Sequence, residues 1–148
     1  MILSKEQLFS DGQGPINTAT TTRSTNVIDL GPTGTVRGGP VALKRDVGPG
    51  EPVAVIVTAT VAGAAQQLTV NLIQADDPAM TSNKEILGTS RATALSTTKP
   101  TQFGINFLPD GISRRYLALE YVTTTTGSFS VDAGITYGKQ SNVTVAAA

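Results

Sequence analysis

The chain has 148 residues, enough for one domain, and its 11 Lys and Arg balance 11 Asp and Glu. It contains no His, Cys or Trp, which excludes imidazole and thiolate chemistry, disulfide bonds and metal sites built from those ligands. The zero net charge lacks the basic surplus typical of nucleic-acid binding, and no apolar run of about 18 residues predicts a membrane span. We therefore expect no enzyme activity, no cofactor, no nucleic-acid partner and no membrane partner.

Residues 1–23 predict an N-terminal arm. A short apolar start is followed by Gly12, Gly14 and Pro15 and then by a Thr-rich polar stretch. Two interpretations stay open: a flexible tail, or an extended arm that becomes ordered on a partner, with Leu8 and Phe9 as its anchors. The start lacks the basic region, apolar core and cleavage site of a signal peptide, which favours synthesis in the cytosol.

A β-rich domain is predicted over residues 24–138. The chain contains 22 Thr, and its Val- and Thr-rich runs favour strands, which Gly and Pro clusters separate. The predicted strands cover residues 24–30, 53–61, 67–74, 85–94, 102–108, 115–123 and 129–137. Residues 41–43 are considered as a short strand or as a contact point inside a loop. Alternation places Leu68, Val70 and Leu72 on one face, and likewise Phe103, Ile105 and Phe107. Seven or eight such strands predict an all-β sandwich or jelly roll.

Residues 31–52 predict a long loop, because six Gly and four Pro lie within them. A loop of this length is usually functional or disordered, and a surface-clasping loop and a floppy one remain equally open. Its cations Arg37, Lys44 and Arg45 are candidates for contact with a partner. Residues 139–148 are predicted to form a C-terminal tail.

The adjacent cations Arg114 and Arg115 allow two interpretations. They form surface ion pairs where a strand begins, or they meet acidic groups of a partner protein. The acidic residues do not form a recognisable motif: the Asp76-Asp77 segment lacks the spacing of a calcium loop, which favours a polar turn. Asp29, Glu120 and Asp132 lie on different predicted strands, and nothing in the sequence joins any two as a catalytic pair.

Four segments in order carry a resemblance to a known family. They are residues 8–11 with 24–31, residues 46–52, residues 68–77, and residues 115–121 followed by 129–137. Together they resemble the capsid cement (decoration) proteins of tailed bacteriophages, of the kind found on short-tailed Bordetella-type phages. The resemblance implies a jelly-roll β-sandwich on the outer face of the phage head, made in the host bacterial cytoplasm. It also implies a homo-oligomer, a dimer or trimer, that bridges neighbouring major capsid protein subunits without a catalytic residue or a small-molecule substrate.

The candidate contact residues are apolar anchors and cations that look exposed: Leu8, Phe9, Arg37, Lys44, Arg45, Arg114 and Arg115. One alternative is a receptor- or carbohydrate-binding β-sandwich of a phage tail, which the absence of Trp and the presence of only three Tyr disfavour. A second is a hydrolase that uses carboxylates alone, for which the sequence offers no paired-carboxylate motif.

Overall fold

The computed structural model describes residues 5–16, 20–41, 43, 45, 53–62, 66–123 and 128–137. A 3-10 turn at Lys5–Gln7 precedes ten strands within these residues. The strands are Leu8–Ile16 (β1), Thr21–Arg23 (β2), Ile28–Asp29 (β3), Val53–Ala62 (β4), Gln66–Ala75 (β5), Glu85–Thr89 (β6), Thr93–Leu95 (β7), Thr101–Ile105 (β8), Tyr116–Thr123 (β9) and Ser128–Tyr137 (β10).

The strands form two antiparallel sheets. The first has the order β1-β10-β4-β8, and the second has the order β2-β9-β5-β6, with β3 on β9 and β7 on β5. Most successive strands change sheet, so the chain crosses repeatedly between the two layers. The predicted all-β sandwich is confirmed, with more strands than the seven or eight expected.

The main core lies between the two sheets, because apolar side chains alternate along the longest strands. On β5 and β9 the inward residues are Leu68, Val70, Leu72, Leu117, Leu119 and Tyr121; on β10 they are Phe129, Val131 and Ala133. All are buried, as the alternation predicted for Leu68, Val70 and Leu72 on β5. A smaller cluster lies on the outer face of the second sheet, where Met80 packs with Ile73 and Ala118.

Strand β1 corrects the predicted N-terminal arm. Residues 8–16 pair with β10, with three register shifts, and residues 21–23 pair with β9. A Cβ at Gly14 would lie 2.8 Å from the Ser130 Cβ, so the close approach of β1 to β10 requires glycine there. The Ser10 hydroxyl and the buried Tyr121 hydroxyl are 2.7 Å apart, which ties β1 to the opposite sheet.

Two predicted strands are interrupted, and a serine hydroxyl lies at each interruption. The strand expected at 24–30 is a strand only at Ile28–Asp29, and Ser24 Oγ accepts the Leu119 N–H at 3.1 Å. The strand expected at 85–94 is split into β6 and β7, and Ser90 Oγ accepts the Val70 N–H at 2.9 Å. When a side-chain oxygen accepts the hydrogen bond of a backbone N–H, it replaces a hydrogen bond between strands, and the regular pairing ends there.

Strand β8 is shorter than its alternating pattern suggests. It ends at Ile105, so Phe107 does not continue the inward face of Phe103 and Ile105 and is 64% exposed. The short strand considered at 41–43 is also not formed at Val41 or Leu43, and position 42 lies outside the described residues.

Candidate interaction surface

The described residues of the long loop, 31–41, 43 and 45, are closed by hydrogen bonds. The Leu43 N–H donates to the Gly34 carbonyl at 2.8 Å, and the Gly39 N–H donates to the Val36 carbonyl at 2.9 Å, which makes a turn at the far end. At the base, the Arg45 guanidinium donates to the Leu30 carbonyl at 2.9 Å and also to the Gly31 carbonyl. These hydrogen bonds fold the described loop residues back on one another and join them to the end of β3.

Three apolar side chains project from this loop into solvent. Val36 is 55% exposed, Val41 71% and Leu43 50%. We call these three residues the apolar loop tip. Single exposed apolar side chains are common, but three on one loop make it a candidate contact surface.

The cations predicted in the long loop have different environments. Arg37 is exposed within the turn that follows Val36. Arg45 is half-buried, and its guanidinium holds the loop base, so its main contacts are within the chain. Lys44 lies outside the described residues. The structure thus places Arg37 beside the apolar loop tip and gives Arg45 a structural contact.

A network of polar groups holds the entry to β9. The buried Gln74 side chain accepts the Ser113 N–H at 3.0 Å and the Arg114 N–H at 3.1 Å. Its amide donates to Glu85 Oε2 at 2.9 Å. The Arg114 guanidinium contacts both carboxylate oxygens of Asp76, at 2.9 and 2.8 Å. Hydrogen bonds from the side chains of Asn83, the larger cause, and Arg114 hold the pKa of Asp76 below its usual value.

Arg115 makes the second ion pair of this region. Two of its nitrogens donate to the two Asp29 oxygens, each at 2.7 Å, and its guanidinium lies 5.1 Å from the Tyr116 ring centre. These hydrogen bonds, with the Gly31 N–H, lower the pKa of Asp29 to about 2. The ion-pair interpretation of Arg114 and Arg115 is confirmed. Both pairs are solvent-exposed, so they stabilise the fold only weakly.

Leu8 and Phe9 differ in burial. Phe9 is fully buried in the main core, which corrects its prediction as an exposed anchor, because β1 pairs with β10 and forms part of the sandwich. Leu8 is half-buried and lines a groove of about 700 Å³ between the N-terminal turn and residues 23–29. The groove lining, which contains no aromatic ring, is Lys5, Glu6, Leu8, Arg23, Thr25, Asn26, Val27, Ile28, Asp29 and Pro78.

The carboxylates that the sequence left unassigned each have a separate partner. Glu120 pairs with Lys84 at 2.7 Å, and Asp132 accepts the Gly12 N–H at 2.6 Å. Asp77 accepts the Thr81 and Ser82 N–H groups, which forms the polar turn that the sequence predicted. Among the described residues, no group of three or more acidic side chains is placed to hold a metal ion. No helix in the same part of the chain is long and apolar enough to cross a membrane.

The sequence offered residues 41–43 as a short strand or a contact point, but it did not single out Val36. The signal was present, because Val36, Val41 and Leu43 interrupt a stretch otherwise rich in Gly, Pro and Thr. Only the structure shows that all three point outward.

The fold and this surface define a class: an all-β sandwich whose exposed apolar side chains include three on one closed loop. The family model Bbp16 matches residues 9–135, from β1 to β10, and the chain belongs to the Bbp16 family. The family name is that of a Bordetella phage protein, which indicates a phage structural protein. No curated protein matches the chain.

Proposed function

We propose that the protein decorates the outside of a phage head and cements neighbouring major capsid protein subunits. In this proposal it is made in the host cytoplasm, joins the head as a homo-oligomer and carries out no catalysis. It uses no cofactor or small-molecule substrate and contacts neither nucleic acid nor membrane. The observation that carries the proposal is the Bbp16 match, which spans the whole sandwich.

The apolar loop tip supports the proposal, because a cement protein needs a surface that gains from burial against another protein. Val41 is 71% exposed and Leu43 is 50% exposed. Contact of these side chains with a capsid subunit would remove apolar area from water. Arg37 lies in the same loop and offers a cation at the rim of such a contact. Weak contacts of this size suffice when an oligomer binds several capsid sites at once.

The test is co-sedimentation of the purified chain with phage heads stripped of their decoration. We expect saturable binding that prefers expanded heads, with a stoichiometry that corresponds to a set of symmetry sites. If the folded protein stays in the supernatant with both expanded and unexpanded heads, cementing is refuted. Binding to intact host cells or to glycans would then favour the receptor-binding alternative.

A pair of variants tests the contact surface. The double variant Val41→Ser/Leu43→Ser removes two of the three side chains of the apolar loop tip without touching the core, and we expect head binding to fall at least tenfold. Ile86→Ser is the matched control, because Ile86 is similarly exposed but lies on β6. Equal loss from both variants, or from the control alone, would show that the loop tip is not the contact.

A further inference from the structure

Strand β8 leaves one side of the first sheet open. It pairs with β4 along Thr101–Ile105 and has no described strand on its other side. Phe103 and Ile105 pack against the core but remain half-buried, and the exposed Phe107 follows two residues later. An unpaired edge of this kind offers backbone N–H and C=O groups to any further strand.

The other strand edges carry features that prevent pairing. Strand β1 contains Asp11 and Pro15 and has three register shifts against β10. Strand β6 begins with Glu85 and has a register shift against β5. Strands β2, β3 and β7 have only two or three residues each. Charges, proline, bulges and short length are the usual protections of edge strands, and β8 has none of the first three.

We propose that β8 is a pairing edge for a second copy of this chain, which joins two first sheets into one continuous sheet across a two-fold axis. An antiparallel strand edge is self-complementary, as such an isologous contact requires. Residues 100–109 contain no charged side chain, so two copies meet without repulsion or the removal of a charge from water.

The charges that flank this segment also favour antiparallel self-pairing. The exposed Lys99 precedes β8, and the exposed Asp110 follows it. When two copies align in opposite directions, the lysine end of each approaches the aspartate end of the other. Pairing also covers the rims of Phe103 and Ile105, which are half-buried and have a described neighbouring strand, β4, on one side of β8 alone.

The experiment is sedimentation velocity of the full chain over a range of concentrations, with two variants of β8. Gln102→Lys and Gln102→Glu each place like charges near one another in a self-pair. We expect each to weaken self-association by about tenfold. An equimolar mixture of the two should recover the oligomer, because opposite charges then face each other.

Thr89→Lys is the matched control, since it adds the same charge to β6, the exposed edge of the second sheet. It should self-associate as the unmodified chain does. The proposal is overturned if the chain is monomeric at all concentrations, if the Gln102 variants associate normally, or if the mixture fails to recover the oligomer.

This inference rests on the homo-oligomer of the proposed function, and the two can fail separately. A monomer that still binds stripped heads would refute β8 pairing and leave cementing intact. An oligomer that pairs through β8 but does not bind heads would refute cementing and leave β8 pairing intact.

Discussion

Replacing Phe9 by Ala separates a core residue from a contact residue. Phe9 is fully buried between the sheets, so its truncation removes a large apolar side chain and leaves a cavity. Such changes cost about 3–5 kcal/mol, and the lower value applies because β1 is an edge strand that can shift towards the gap. For a chain of this length, about 3 kcal/mol corresponds to a fall in Tm of roughly 6–12 °C.

The assay is urea denaturation followed by fluorescence of the tyrosines, with head binding measured on the same preparation at a temperature where the variant is folded. Leu8→Ala is the control, because Leu8 is only half-buried on the same strand and should cost about 1 kcal/mol. We expect Phe9→Ala to lose stability and to keep its head affinity while folded. Loss of head binding with a stability change below about 1 kcal/mol would refute the burial argument.

Three further changes test the polar contacts and the close packing. In Arg115→Ala the pKa of Asp29, about 2 in the intact chain, should rise towards its usual value in an NMR titration. Because that pKa is depressed on folding, the stabilisation is present above pH about 4 and is lost as the pH falls towards 2; an unchanged titration would contradict the pairing. Gln74→Leu leaves two backbone N–H groups without their acceptor and should lower the free energy of unfolding by about 2–3 kcal/mol. Gly14→Ala places a Cβ within 2.8 Å of a β10 side chain and should cost about 1–3 kcal/mol by calorimetry, while Gly34→Ala, which meets only open space, should be neutral.

The long strands could be predicted from the sequence because their period of two is regular. Strands β5, β9 and β10 each lie within one or two residues of their predicted limits. On β5 the inward Leu68, Val70 and Leu72 are also those that the alternation selected, since a half-buried antiparallel strand must direct every second side chain to the core.

Strand β1 could not be predicted in this way. Its apolar residues lie at its two ends, with Gly, Pro and polar residues between them, so no period is visible. Regular β10 supplies the pairing, and three register shifts absorb the mismatch. Phe9 was therefore assigned to an arm, although the contact that buries it comes from strands more than 100 residues away.

The candidate site could be predicted only in part, because its partners are remote in sequence. The cations Arg114 and Arg115 were visible as a pair, but their carboxylates lie 38 and 86 residues away. The closure of the long loop by Arg45 depends on backbone carbonyls, which every residue carries and no sequence pattern marks. The Gly and Pro content predicts the loop, but the exposure of its side chains depends on the three-dimensional structure.

The pairing of β1 with β10 also determines when the molecule can finish folding. Residues 8–16 cannot form their strand pairing until residues 129–134 have been synthesised. During synthesis, β1 therefore stays unpaired until nearly the whole chain has been made. Topologies dominated by such distant pairings fold slowly, roughly in milliseconds to seconds. Mutations that slow this final closure should therefore reduce the yield of folded protein before they alter any surface contact.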